Sequence, residues 1–304
     1  MSVWVGSGVA PGGRGVKVTV PSLVERKRAG EKISAVTAYD VASGRLCEEA
    51  GLDVVLVGDS LAMTMLGHEN TLSVTMDEMV VFTRAVRRGV SRALLVADMP
   101  YGSYQVDERD GVRNALRFVK EAGAEAVKLE GGRQRAELVR RLVEAEIPVM
   151  GHLGLTPQAV HRMGGYKVQA RTAGAVERIR EDAHLLAGAG CFAVVLEGIP
   201  REVAAELTAE LTVPTIGIGA GPECDGQILV WHDLLGISAG ASAKFVRRFA
   251  EAGAAMRGGL EAYREAVEAG TFPSDAESYH LPRETRAGRE AAREAVHALS
   301  LIHI

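Results

Sequence analysis

AVKLEGGRQRAELVRRLVEAEIPVMGHLG, residues 126–154, holds the unit that decides the fold. AVKLEGG (126–132) and IPVMGHLG (147–154) are short apolar runs that end in polar residues. Between them, RQRAELVRRLVEAE (133–146) places Leu138, Leu142 and Val143 at helical spacing, with charges on the other face. Two strands without polar alternation, joined by a helix, read as parallel neighbours with a right-handed crossover.

The same unit recurs in both directions. Upstream lie ISAVTAYD (33–40), DVVLVGDS (53–60) and ALLVADMP (93–100), and downstream FAVVLEGI (192–199), VPTIGIGAG (213–221) and QILVWHDLL (227–235). TMDEMVVFTRAVRRGV (75–90) reads as one intervening helix, started by Thr75. Eight strands alternating with helices suggest an α/β fold, a (β/α)8 TIM-type barrel. The competing arrangement is an open doubly wound sheet. No G-x-G-x-x-G follows the first strand, and polar residues end nearly every strand instead of one switch point, so the barrel is favoured. The expected organisation is a flexible arm over 1–16, a single barrel over 17–281 with extra C-terminal helices, and a tail over 282–304 that can form a helix. KFVRRFAEAGAAMRGGLEAYREAVEAG (244–270) reads as one or two of those helices, and SLIHI (300–304) as a small contact element or an added tail.

Composition narrows the function. Of 304 residues, 47% are apolar and 24% charged, enough for a large core and against disorder. Aromatics are 5% and the net charge is −4, which excludes a basic, stacking nucleic-acid binder. Cys47, Cys191 and Cys224 are odd in number and far apart, so a reducing, cytoplasmic setting is expected. No leader pattern and no membrane-length apolar run stands out, and no membrane partner is expected.

Barrel active sites lie at the C-terminal ends of the strands. There the sequence places Tyr39-Asp40, Asp59-Ser60, Asp98, Lys128 with Glu130, His152 and Glu197. Asp59, Asp98 and Glu130 come from consecutive strands, and such crowding of like charge favours a hard divalent cation held by oxygen. A lone strand-end Asp is more often a helix cap. Lys128 and Glu130, two apart on one strand, share a face. Glu197 follows AVVL and reads either as a partly desolvated general base or as a structural carboxylate. His152 by itself reads as a core histidine. GIGAG (217–221) is a weak phosphate signal, whereas GGYK (164–167) and GHENTLSVTMDE (67–78) stand where lids can form.

In order and spacing these stretches resemble the ketopantoate hydroxymethyltransferase family. TAYD (37–40), LVGDSLAMTMLGHENTLSVT (56–75), ADMPYGSY (97–104), VKLEGG (127–132), PVMGHLGLTPQAVHRMGGYKVQAR (148–171), VLEGIP (195–200) and PTIGIGAGPECDGQILVWHDLLG (214–236) carry the likeness, which runs from about 17 to 281. GHLGLTPQ together with IGIGAG-x-x-x-DGQ is highly specific. The family usually has Pro at the position of Ser73, Gly at that of Ala170 and Pro at that of Ala243; no candidate ligand or base is affected.

The resemblance implies transfer of a hydroxymethyl group from 5,10-methylenetetrahydrofolate to 3-methyl-2-oxobutanoate, giving 2-dehydropantoate, in pantothenate biosynthesis. It implies one Mg2+ per subunit, held by Asp59, Asp98 and Glu130 directly or through water, and an enolate stabilised by that ion. Asp59, Ser60, Asp98, Lys128 and His152 would bind substrate, and Glu197 would take the C3 proton. A homo-oligomer, a decamer of barrels, is implied as well. Rival readings are a folate-independent lyase or mutase acting on 2-oxo acids, and a barrel that binds metabolites without turnover.

Overall fold

The computed structural model describes residues 15–238 and 243–300. All but Gly15 and Val16 of the expected N-terminal arm, and residues 301–304 of the closing SLIHI, lie outside them. Helix α1 (Val20–Ala29) precedes β1 (Ile33–Thr37), α2 (Val41–Glu49), β2 (Val54–Val57), α3 (Leu61–Thr64) and α4 (Met76–Arg87). Then follow β3 (Leu94–Asp98), α5 (Glu108–Arg117), β4 (Ala126–Glu130), α6 (Ala136–Glu144), β5 (Val149–Gly154), α7 (Val160–Met163) and α8 (Ala173–Ala189). The barrel ends with β6 (Ala193–Glu197), α9 (Arg201–Glu210), β7 (Thr215–Ile218), β8 (Gly226–Leu229) and α10 (Trp231–Leu234). The strands pair in sequence order, all parallel, and β8 closes on β1.

Helices α11 (Ala252–Glu268) and α12 (Arg283–Ser300) belong to a second compact unit that begins at Glu251. The expected barrel extent of 17–281 crosses that division. The eighth run is shorter than its sequence suggests: the strand stops at Leu229, and Trp231–Leu234 turns into α10.

Two apolar layers follow from the strand pleat. Inward residues such as Leu23, Ile33, Leu94, Ala126, Met150, Phe192 and Ile216 fill the barrel, with Leu23 of α1 closing its lower end. Outward residues, including Val55, Leu95, Val127 and Val194, pack under the helices. The same inward alternation carries Val96 to Asp98, Ala126 to Lys128 and Glu130, Met150 to His152, and Val195 to Glu197. The polar groups therefore stand on top of an apolar plug.

Local chemistry sets the ends of the elements. Asp40 caps α2 and Thr75 caps α4, each in a reciprocal capping box, with Ser43 and Glu78. Gly154 ends β5 with φ +95, and a Cβ there would stand 2.1 Å from the Glu197 carbonyl oxygen. Only glycine lets the loop after β5 pass so close to β6.

Ala170, where the family usually carries Gly, is buried and holds φ +53, in the left-handed region. A side chain there costs about 1–2 kcal/mol, part of which the unfolded-state freedom of Gly offsets. Ala170→Gly is expected to stabilise the barrel unit by roughly 0.5–1 kcal/mol in urea unfolding. A loss of stability would show that this backbone carries no strain.

Candidate active site

Of the residues placed at the strand ends, Asp59, Ser60, Asp98, Lys128, Glu130, His152 and Glu197 line one chamber of about 100 Å3, whereas Tyr39 and Asp40 do not. Register explains the convergence. Asp98 is level with Lys128, and Glu130 with His152. Strand β6, which carries Glu197, faces β2 across the closed barrel.

Lys128 is the hub. Its Nζ lies 2.8 and 2.9 Å from the two Asp98 oxygens and 3.5 Å from Glu130 Oε1. All three groups are buried. Burial alone would favour neutral Lys128, but Asp98, Glu130 and Asp59 outweigh it and push its pKa above the ordinary range. Glu130 is held below the usual carboxylate range, because Lys128 and His152 outweigh its burial.

Asp59 and Asp98 are less well compensated. The Asp59 carboxyl is pushed well up by burial, then by the charges of Asp98 and Glu130. Asp98 rises too, through burial against the pull of Lys128. The Asp59 backbone N–H donates to Asp98 Oδ2 at 3.1 Å, which ties the two strand ends together. Asp59 Oδ1 lines the chamber and accepts no hydrogen bond from the described residues.

His152 stands between two acids. Its Nδ1 is 3.3 Å from Glu130 Oε1 and its Nε2 is 3.1 Å from Glu197 Oε2. Neither approach has good hydrogen-bond alignment, so both contacts are chiefly electrostatic. Burial and Lys128 would discharge the imidazole, yet the two carboxylates prevail and raise its pKa to about 9. Ser60 Oγ lies 2.9 Å from Tyr39 Oη, which in turn receives a 2.8 Å hydrogen bond from Thr37.

The sequence reading passed over Gln158, the centre of the supporting network. Its backbone N–H donates to Glu130 Oε2 at 3.0 Å, and its Nε2 donates to Asp59 Oδ2 at 3.0 Å and to the Met99 carbonyl at 2.9 Å. Its Oε1 accepts from Tyr104 Oη at 2.5 Å and from Gln105 Nε2 at 3.0 Å. The available signal was the GHLGLTPQ stretch (151–158), which counted only as a mark of the resemblance. Asp40, by contrast, is a cap and lines no wall of the chamber. In GIGAG, Gly219 and Gly221 hold φ +64 and +86 where a Cβ would meet Phe245 and Arg201, so the stretch is accounted for by close packing.

Among the described residues, no group of three His, Cys, Asp and Glu side chains is placed so that it could hold a metal ion. Lys128 takes the space between Asp98 and Glu130. The donor chemistry nevertheless fits a hard cation beside Asp59 and Asp98, because two buried carboxylates share one ammonium and one oxygen faces the chamber without a donor. Both Glu130 oxygens are engaged, which suits it to a contact through water.

The profile of the ketopantoate hydroxymethyltransferase family matches residues 17–275. The 3-methyl-2-oxobutanoate hydroxymethyltransferase of Koribacter versatilis is 57% identical over 291 residues, covering 96% of this chain and 99% of that protein. This match extends beyond 17–281 into the terminal segments. The protein of the same name from Pelobacter propionicus is 51% identical over 264 residues, covering 87% and 98% of the two chains. Among solved structures, a phosphonopyruvate hydrolase in complex with oxalate and Mg2+ superposes with a TM-score of 0.56 at 13% identity, over 92% of this chain and 98% of that one. A 2,3-dimethylmalate lyase of the PEP mutase/isocitrate lyase superfamily gives 0.50 at 18% identity, over 92% and 98%. At such identities the likeness speaks for the barrel alone.

Proposed function

The chain belongs to the ketopantoate hydroxymethyltransferase family, and from that premise we propose how its own side chains carry the reaction. It is a hydroxymethyltransferase of pantothenate biosynthesis, and it converts 3-methyl-2-oxobutanoate to 2-dehydropantoate. The one-carbon donor is 5,10-methylenetetrahydrofolate. The observation that carries the assignment of roles is a divided chamber. Buried acids and Lys128 lie on β2 to β4, and a single carboxylate, Glu197, lies across from them on β6.

The substrate's carboxylate faces Lys128, whose charge the surrounding acids secure, and Ser60 Oγ, oriented by Tyr39. Asp59 and Asp98 would hold a Mg2+ ion, with Glu130 reaching it through water. Bound there, the ion would supply Lewis-acid stabilisation of negative charge on the oxo acid. Glu197 Oε2 takes the proton from C3. Water cleaves the donor's two carbon–nitrogen bonds, which leaves both folate nitrogens protonated and the one-carbon unit as formaldehyde; the freed electron pair on C3 bonds to that carbon, and the proton held by Glu197 passes to its oxygen, which becomes the hydroxyl. His152 positions Glu197 through the 3.1 Å contact and carries charge between Glu130 and Glu197. Gln158 fixes Asp59 and Glu130 from behind.

The folate-independent lyase reading loses ground because those barrels share 13–18% identity with the chain, against 51–57% for the transferases. Product analysis separates them. 2-Dehydropantoate should form from the oxo acid, Mg2+ and methylenetetrahydrofolate, and should vanish when any one is left out. Product formed without folate would defeat this reading.

A homo-oligomer, expected as a decamer, and a cytoplasmic setting complete the proposal. Helix α11 supports the first, because Met256, Leu260, Tyr263 and Val267 recur along it at helical spacing as an apolar stripe. Sedimentation should give a mass well above one chain, and a monomer at all concentrations would overturn it. Three free, buried cysteines suit a reducing compartment. Among the described residues no helix is long and apolar enough to cross a membrane.

A further inference from the structure

A second cavity, of about 390 Å3, opens at the same end of the barrel, and the mechanism above does not use it. Its walls come from the loop after β3, the turn after β4 and the segment after β5, with Leu72 from the stretch between α3 and α4. Glu130 lines both this cavity and the reaction chamber.

The charge of the cavity is one-sided. Arg135, His161 and Arg162 line it, and none of them has a carboxylate partner among the described residues. The contrast with their neighbours is direct: Arg133, Arg140 and Arg141 each pair with an acid at 2.6–2.9 Å. Arg135 is partly buried, and its guanidinium meets no acceptor among the described residues, at Nε or at either terminal nitrogen. A half-buried guanidinium at a cavity wall without a carboxylate is suited to receive one from a ligand. The one acid in the wall, Glu130, is already engaged by Lys128, His152 and the Gln158 N–H.

The cavity also offers flat surfaces. Arg135 lies over the Tyr104 ring at 5.2 Å, and Tyr101 stands half exposed at the wall. Amide side chains from Gln105 and Gln134 complete it. Such a site suits an aromatic amide that ends in carboxylates and reaches the reaction chamber past Glu130.

The geometry points to this cavity as the seat of the p-aminobenzoyl-glutamate arm of the folate co-substrate. Arg135 and Arg162 hold its carboxylates, and the tyrosine side receives its ring. The inference rests on the folate-dependent reading above. It places the reactive pterin end toward the chamber and the charged end away from the buried acids, which would repel it.

The test compares the parent with the double variant Arg135→Gln, Arg162→Gln and with Arg135→Lys, which keeps the charge. Direct binding of p-aminobenzoyl-glutamate is measured by calorimetry, and KM is measured for each substrate. The parent should bind the probe. The double variant should lose it and show a KM for methylenetetrahydrofolate raised about 10-fold or more, a step that corresponds to about 1.4 kcal/mol. Its KM for 3-methyl-2-oxobutanoate and its folate-free deuterium exchange at C3 should stay within about 2-fold, which separates ligand contact from a general structural role. Arg135→Lys should restore part of the affinity. No binding of the probe by the parent, or a double variant with the parent's folate KM, overturns the assignment. Equal loss of C3 exchange overturns it too. A parent that binds the probe through these arginines but makes no 2-dehydropantoate keeps the cavity and defeats the functional reading instead.

Discussion

Glu197→Gln is expected to keep 3-methyl-2-oxobutanoate bound and to lose proton exchange at its C3 by about 100-fold or more, the usual scale for removing a general base. The placement of the carboxylate is the reason. Glu197 ends β6 at an inward position, its side chain 15% exposed, on the wall opposite β2. A substrate whose oxygens face Lys128 and Asp59 turns its alkyl end toward β6. The amide keeps the shape of the side chain and can still contact His152, but it does not accept the proton. Exchange in deuterated water with Mg2+ and no folate, followed by NMR, isolates this step from one-carbon chemistry. Parent-like exchange in the variant would move the proton to another group, and His152, 3.1 Å away, is the next candidate.

How much of this was legible in the sequence depended on the range of the interaction. The eight strands were, because each belongs to a short, largely apolar run without polar alternation, and the pleat then dictates that Lys128 and Glu130 share a face. The capping of α4 by Thr75 was also legible, since a cap and its partner Glu78 lie three residues apart. Asp40 and Asp59 both follow a strand, and position alone did not separate them. What separates them is Ser43, whose backbone and hydroxyl engage Asp40, whereas Asp59 meets Asp98 and Gln158, 39 and 99 residues away. Gln158 was missed for that reason: every partner that gives it meaning lies elsewhere in the chain. Val143, placed on the buried stripe of α6 beside Leu138 and Leu142, is 38% exposed, because it sits at the flank of that stripe. The charge on His152 was equally hidden, since it depends on Glu130 and Glu197 from two other strands.

Asp59→Asn should produce two opposite effects in one protein. In chelator, the variant is expected to unfold at a higher temperature than the parent. With Mg2+ added, the parent should gain stability and the variant should gain little. The first effect follows from like charge. Asp59 is buried beside Asp98 and Glu130, and its carboxyl is pushed well above the ordinary range by burial and by those two acids. Above that ordinary range the ionised form is a net cost to the folded state, and a neutral amide of the same shape removes it. The hydrogen bond from Gln158 Nε2 can be kept, because the Asn carbonyl accepts it in place of Oδ2. The second effect follows from the oxygen that lines the chamber. Asp59 Oδ1, which no described donor reaches, is the natural first contact for a hard cation, and an amide is a far poorer ligand. An ion that binds only the folded parent at 100 times its Kd adds about 2.7 kcal/mol. Affinity for 3-methyl-2-oxobutanoate should fall with affinity for Mg2+, since in the proposed site the ion and Lys128 would together receive its oxygens. Calorimetric titration of Mg2+, then of oxo acid, alongside thermal unfolding in each buffer, reads all three quantities. A variant that binds Mg2+ as tightly as the parent would remove Asp59 from the metal site. A variant less stable than the parent in chelator would mean that Lys128 and His152 already neutralise the chamber without a cation.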